Sequence, residues 1–359
     1  MDEIVAYYPP ETRAMPLTLV RRERLLPVPG RVLVAVDETV QADTPVAEGE
    51  ISGEVSVVNV AQQLRVPPGR AYRYIKVKEN QDVRRTTVIA AKGFFKSGRL
   101  FSPARGFVYR IDKASGRVLI RVVNQPYQLT AGMPGRVVDV IAGRGVIIET
   151  TGAQVQALLG FGGDAYGVLR VVSRHASDVL RARSIDTNVT GTIILGGAWL
   201  DEAALEQAIQ MQVRGIITGS LDVSLLEAAR HAPFPILLTE GLGRIRMSPP
   251  IFKLLKSLNG REVALSALTR TRWGVIRPEV IVPMPSDSKV EAPAYGLPLA
   301  VGVRVRIVRG AQQGAVGTIT AIPARARVVE NGTRMHGAEI DLGEEGQIFM
   351  PFANLEILR

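Results

Sequence analysis

The chain has no cysteine, which excludes disulfides, thiolate metal sites and cysteine nucleophiles. Histidine is scarce as well: His175, His231 and His336 fall in three separate neighbourhoods, and no pair has the helical spacing of a metal site. His231 sits at an expected helix end, where the ring meets terminal carbonyls, and structural roles are favoured for all three. Acidic residues offer no catalytic constellation, since Asp341, Glu344 and Glu345 read as a charged hairpin turn. No apolar run reaches the length of a membrane span, and Asp2 and Glu3 stand where a secretory signal would carry basic residues. These absences predict a cytoplasmic protein without membrane insertion, and they call for no cofactor and no metal.

What is present points to many short strands. Hydrophobic residues make up 46% of 359 residues, and 35 glycines and 22 prolines punctuate stretches rich in Val and Ile. That pattern excludes an all-helical fold, and the length calls for two to four domains. The net charge is +10, from 44 Lys and Arg against 34 Asp and Glu. Such an excess favours polyanionic partners such as nucleic acid. The arginine clusters, at 21–24, 84–85, 181–183 and 304–309, are dispersed along the chain rather than gathered in one tail.

Residues 31–47 and 74–90 share a pattern at an offset of 43, visible in Val34 and Val77, Val40 and Val83, Thr44 and Thr87, Val46 and Ile89, and Ala47 and Ala90. Each copy reads as strand, turn and short strand. A Ser102-Pro103-x-x-Gly106-x-Val108 segment and glycine-started strands at 116–121, 132–140 and 145–149 follow. On the Ser-Pro-x-x-Gly-x-Val start and the repeat spacing, this half resembles the barrel-sandwich hybrid family, which includes biotinyl and lipoyl carrier domains. In carrier members a modified lysine sits at a hairpin tip, the place Lys113 occupies here. No Met flanks Lys113, and a solvated turn lysine is the favoured reading.

From about residue 184 strands alternate with helices. Strands are expected at 192–195, 215–219 and 235–239, helices at 201–212, 223–232 and 251–258, with Pro249-Pro250 opening the last. The alternation implies a small open, largely parallel sheet with covering helices. Ligands of such sheets sit at the carboxyl ends of the strands, which nominates Gly196, Gly197, Gly219, Ser220, Glu240, Gly241, Gly243 and Arg244 as a weak ligand-binding set. The competing reading gives these glycines to chain turning and Asp222 or Ser220 to helix capping. Trp199 is expected in this core, and Trp273, between Arg272 and Gly274, is the more exposed candidate for stacking on a base.

The last segment is the most pointed. Val303, Val305 and Ile307 alternate with Arg304, Arg306 and Arg309, the arginines expected toward solvent, and Gly310, Gly314 and Gly317 mark a turn into a second strand. This hairpin resembles the KOW motif of ribosomal proteins and NusG-type elongation factors, and residues 347–358 extend the match to a closing strand. The resemblance implies an SH3-like β-barrel whose Arg304, Arg306, Arg309, Gly310, Gln312, Gln313 and Gly314 contact RNA or a partner complex.

The resulting expectation is a multidomain α+β chain: an N-terminal extension over 1–30, an all-β barrel-sandwich-like half over 31–183, a central α/β open sheet over 184–282, a linker over 283–297 and an SH3-like barrel over 298–359. The favoured function is a non-enzymatic binding protein for RNA or a transcription or ribosomal complex, with protein partners expected too. Two alternatives stay open: an α/β protein for a small anion or nucleotide, with or without catalysis, and a structural assembly subunit.

Overall fold

The computed structural model describes residues 7–51, 53–93, 98–270, 276–284, 290, 296 and 298–359. The stacking candidate Trp273 and most of the 283–297 linker lie outside the described residues. Strands dominate, gathered into several sheets. The largest has twelve strands, and its path runs from Leu159–Phe161 through Ile236–Leu242, Gly215–Leu221, Ile193–Leu195 and Asp164–Val171, then through Glu262–Ser266 and Glu279–Pro283 to Gly145–Gln156, Gly135–Ile141 and Thr39–Val40.

Inside the antiparallel edge strand Leu159–Phe161, one part of this sheet is parallel. Ile193–Leu195, Gly215–Leu221 and Ile236–Leu242 pair in parallel, with Asp164–Val171 joining them, and residues 193–195, 215–221 and 236–240 are buried on both faces because helices cover the crossovers. Helix Glu202–Gln210 starts where Asp201 accepts a hydrogen bond from the Ala204 amide at 2.8 Å, and helix Pro249–Ser257 opens on its two prolines. The sheet does not stop where the helices do. Asp164–Val171 turns antiparallel against Glu262–Ser266, and Gly145–Gln156, twelve residues long, pairs with Glu279–Pro283 near its end and with Ala14–Leu25 along most of its length. The expected boundary at 183/184 therefore cuts through one continuous sheet.

Residues 7–25 are not a free extension. Glu11 and Thr12 pair in parallel with Ile357 and Leu358, placing the strand at the edge of the six-stranded C-terminal sheet. Tyr7 stacks on Phe352 with ring centroids 5.1 Å apart, and the Leu299 amide donates to the Tyr7 carbonyl at 2.9 Å. This sheet closes on its own core of Val305, Ile307, Ile319, Ile340, Leu355 and Ile357. Leu358 and Val316 reach across it into the core of the large sheet, so the last sixty residues are packed into the body rather than appended to it.

The offset of 43 recurs in the hydrogen bonding. The Gln41 amide donates to Thr44 Oγ1 and the Arg84 amide to Thr87 Oγ1, each at 2.9 Å. Asp37 and Asn80 both take the left-handed conformation, with φ of 70° and 64°, a region that Asp and Asn tolerate better than other non-glycine residues. Their amides donate to the carbonyls of Val137 and Val108 respectively. The correspondence extends past the repeat read from sequence. Ala131 and Ser102 donate to Thr44 and Thr87, Leu26 and Val60 donate to Arg144 and Gly116, and a register shift falls between Val137 and Asp139 in one hairpin and between Val108 and Arg110 in the other.

The two copies are nested. The outer copy is built from segments on either side of the inner one, and strands Pro45–Ile51 and Gln125–Thr130 pair with each other as a stem that leads into residues 53–123. At the neck the chains cross so closely that a Cβ on Gly53 would lie 2.1 Å from the Val122 carbonyl oxygen, which reserves that position for glycine. The inner copy has a core of its own, with Val58, Val83, Ile89, Val108, Val118 and Ile120 among its buried members. The outer copy's core shares Ala264 and Ile281 with the large sheet.

Candidate nucleic-acid interface

The C-terminal hairpin splits the arginines that alternation groups together. Arg304 and Arg309 are exposed, as is Gln312, while Gln313 is half-buried. Gly310 and Gly314 have φ of 102° and 86°, and Gly314 is buried against Ile245. Arg306 is 0% exposed. The expectation of a solvent-facing Arg306 is corrected: the face of Arg304–Ile307 that alternation assigns to solvent lies against the α/β strands, so Val305, Arg306 and Ile307 are all buried.

Arg306 lies between the six-stranded sheet and the twelve-stranded one. Its Nη1 donates to the Thr239 carbonyl at 3.0 Å and lies 3.3 Å from Glu240 Oε2, and its Nη2 donates to Glu356 Oε2 at 2.6 Å and to Thr12 Oγ1 at 3.1 Å. Arg277 Nη1 reaches the other Glu356 oxygen at 2.5 Å, and the Ser248 amide donates to Glu240 at 3.0 Å. Two guanidinium groups thus balance two carboxylates away from water. Burial raises Glu240 above the ordinary carboxylate value despite Arg306 and the Ser248 amide. Burial would raise Glu356 too, but Arg306 and Arg277 outweigh it and hold that carboxyl below 4.5. Burial likewise works against the charged Arg306, and Glu240 and Glu356 together outweigh it and raise its value. The Arg306–Glu240 pair thus joins a residue of the expected C-terminal interface to one of the expected α/β ligand set.

The rest of that ligand set is internally engaged. Ser220 Oγ accepts from the Ile245 amide at 2.9 Å and donates to the Ile245 carbonyl at 3.0 Å, and Arg244 pairs with Asp222 at 3.0 Å. A Cβ on Gly197 or Gly219 would fall 2.5 Å from a backbone oxygen, so these glycines serve close approach of chain to chain. Gly196 is packed near Leu180, Gly241 lies within strand Ile236–Leu242 opposite Ser220 with φ of 91°, and Gly243 has φ of 123° just past the end of that strand. His231 caps its helix through Nδ1 and the Glu227 carbonyl at 2.8 Å. Among the described residues, no group of three or more His, Asp or Glu side chains is arranged to hold a metal ion.

A cavity of about 410 Å³ opens between strand Ala14–Leu25 and the Glu262–Ser266 and Glu279–Pro283 pair. Arg13, Arg21, Arg22, Arg24, Arg270 and Arg277 line it. Most of that charge is already neutralised, because Arg22 forks onto Glu279, Arg24 meets Asp164 at 2.6 Å, Arg21 meets Glu149 at 2.6 Å and Arg277 meets Glu356.

The inner copy is different. Residues 53–123 hold 15 of the 44 basic residues and 4 of the 34 acidic ones, which leaves 29 basic and 30 acidic elsewhere. The whole positive excess of the chain therefore resides in this segment. None of its described side chains forms an ion pair, whereas Arg31 and Arg136 of the outer copy meet Glu48 and Asp37 at 2.7 and 3.0 Å. Arg84 and Arg85 stand out as a cluster in the sequence, but the concentration shows only when charge is summed over a window of this length. Its four-stranded sheet, ordered Val55–Asn59, Arg117–Val122, Gly106–Asp112 and Asp82–Val83, covers the core with one face. On the other face Arg121 lies opposite Val55 and Phe107, Leu119 opposite Val57 and Arg110, and the Arg121 guanidinium sits 4.4 Å from the Tyr109 ring centroid.

No protein-family model matches this chain, and no curated protein matches its sequence.

Proposed function

We propose that this protein is a non-enzymatic nucleic-acid-binding protein whose principal contact is the inner β copy at 53–123. The observation that carries this reading is the segregation of the entire charge excess into one segment with no ion pairs among its described residues. Fixed, unpaired guanidinium and ammonium groups gain most from a polyphosphate, because binding releases the counterions condensed on it. The C-terminal sheet is read as a KOW-type SH3-like barrel on its hairpin resemblance, with exposed Arg304 and Arg309 as a second contact. The nested copies are read as a pair of barrel-sandwich-like units, and the α/β strands with the large sheet as the frame that carries both.

The test is binding of fluorescein-labelled RNA to the full chain by anisotropy over a salt series. The affinity is expected to fall steeply with salt, with a log–log slope of about −0.7 per phosphate neutralised on a single strand. Replacing Arg84, Arg85, Arg105 and Arg110 by Gln is expected to flatten that slope. No binding at low salt, or a slope untouched by the fourfold variant, would sink the proposal.

A further inference from the structure

The outer face of the inner sheet has a counterpart in the outer copy, and the two have opposite chemistry. Matching hydrogen bonds align Val55 with Arg21, Val57 with Glu23, Phe107 with Arg136 and Arg121 with Glu149. In the outer copy these positions form an ion-pair surface, with Glu149 meeting Arg21 at 2.6 Å and Arg136 at 3.9 Å. In the inner copy the charged network is gone. Val57 and Tyr109 are 53% and 48% exposed, and Val55 and the half-buried Phe107 flank an Arg121 that has no carboxylate partner.

Resting on the nucleic-acid reading above, we infer that this face is a stacking platform for single-stranded nucleic acid. An exposed aromatic ring, an arginine over it and apolar β-branched neighbours offer flat surface to a base, and a duplex keeps its base faces buried and cannot use it. Arg110 and Arg117, exposed on the neighbouring rows, lie where the phosphates of a strand crossing the sheet would pass. Charge complementarity selects the occupant, since an acidic or neutral protein surface would leave no role for a ring under a guanidinium, and the basic excess of this segment repels a second copy of itself.

The experiment uses the full chain and three labelled probes: oligouridylate and oligothymidylate, each of about twelve nucleotides, and a duplex of the same length. The single strands are expected to bind about tenfold more tightly than the duplex, the scale of one stacked base. Tyr109→Ala is expected to remove most of that preference and Tyr109→Phe to retain it. Arg121→Glu, which restores the acidic residue of the outer copy, is expected to weaken single-strand binding at least as much. Both residues are exposed, and the melting temperature of each variant checks that the fold is kept. Equal affinity for single strands and duplex, or a preference that survives Tyr109→Ala, overturns the inference. If the fourfold arginine variant still flattens the salt slope in that case, the broader reading stands alone. Absence of binding to all three probes overturns both.

Discussion

At position 149 the outer copy holds a glutamate on which two arginines close, and at the equivalent position 121 the inner copy holds an arginine lying over a tyrosine ring. The same contrast runs through the rest of the two surfaces. Residues 31–50 and 125–148 of the outer copy contain three basic and six acidic side chains, and the matching 74–93 and 96–120 of the inner copy contain eleven and three. The backbone hydrogen bonds are shared almost one for one. A scaffold held by main-chain bonds and a small apolar core constrains few of its exposed side chains, so one copy can carry a surface of ion pairs while the other carries an unpaired positive excess.

The contrast predicts that the copies are separable in stability. The largest effect is expected from Arg306→Ala, which leaves Glu240 buried without its cation and Glu356 with Arg277 alone, and should cost about 3–5 kcal/mol. Hydrogen exchange should then show lost protection in the large sheet and the outer copy, with residues 58–120 unchanged. Parallel loss in the inner copy would mean that the two form one cooperative unit. Next come the equivalent core positions, Ile148→Ala and Ile120→Ala, both at fully buried sites, each expected to cost about 2–5 kcal/mol. The first should lower the stability of the body and the second only that of the inner copy, giving an early, separate thermal transition.

Acid should also divide them. The native Glu356 carboxyl titrates below 4.5, so the stability it contributes is complete above about that pH and is lost as pH falls through its lower native value. Glu240 acts in the opposite sense. It keeps its proton where the unfolded chain has released it, so its contribution declines as pH rises through the interval above 4.5. The inner copy has no buried carboxylate among its described residues. Below pH 4.5 the body should therefore lose stability faster than the inner copy, and Glu356→Gln should flatten that acid limb in a pH series of melting curves. The smallest effect sharpens the backbone equivalence. Asp37→Ala and Asn80→Ala should each cost about 1–2 kcal/mol through the left-handed conformation, with Gly nearly neutral at both, and unequal responses in chemical denaturation would weaken the match.

Part of this was legible in the sequence. Thr44 and Thr87 carry the same turn-closing bond, so the offset of 43 shows through them, but the later segments of the copies are related by offsets nearer 29 and fall out of register with it. The helices and parallel strands near 193–257 follow their periodicity and caps. Alternation failed at Arg306 because it assumes one wet face, and this strand has a second layer against that face. Residues 7–12 gave no signal of their destination, since a two-residue edge strand is specified by its partner at 357–358 and not by its own pattern.

That parallel edge also orders events during synthesis. Glu11 and Thr12 are made before Ile357 and Leu358 and cannot join their sheet until those follow, and Arg359 closes on Glu11 later still. The inner copy's core, confined to residues 58–120, needs nothing made after them. A nascent chain would thus present its basic surface while its body remains unfinished, and any polyanion at hand would meet that surface first.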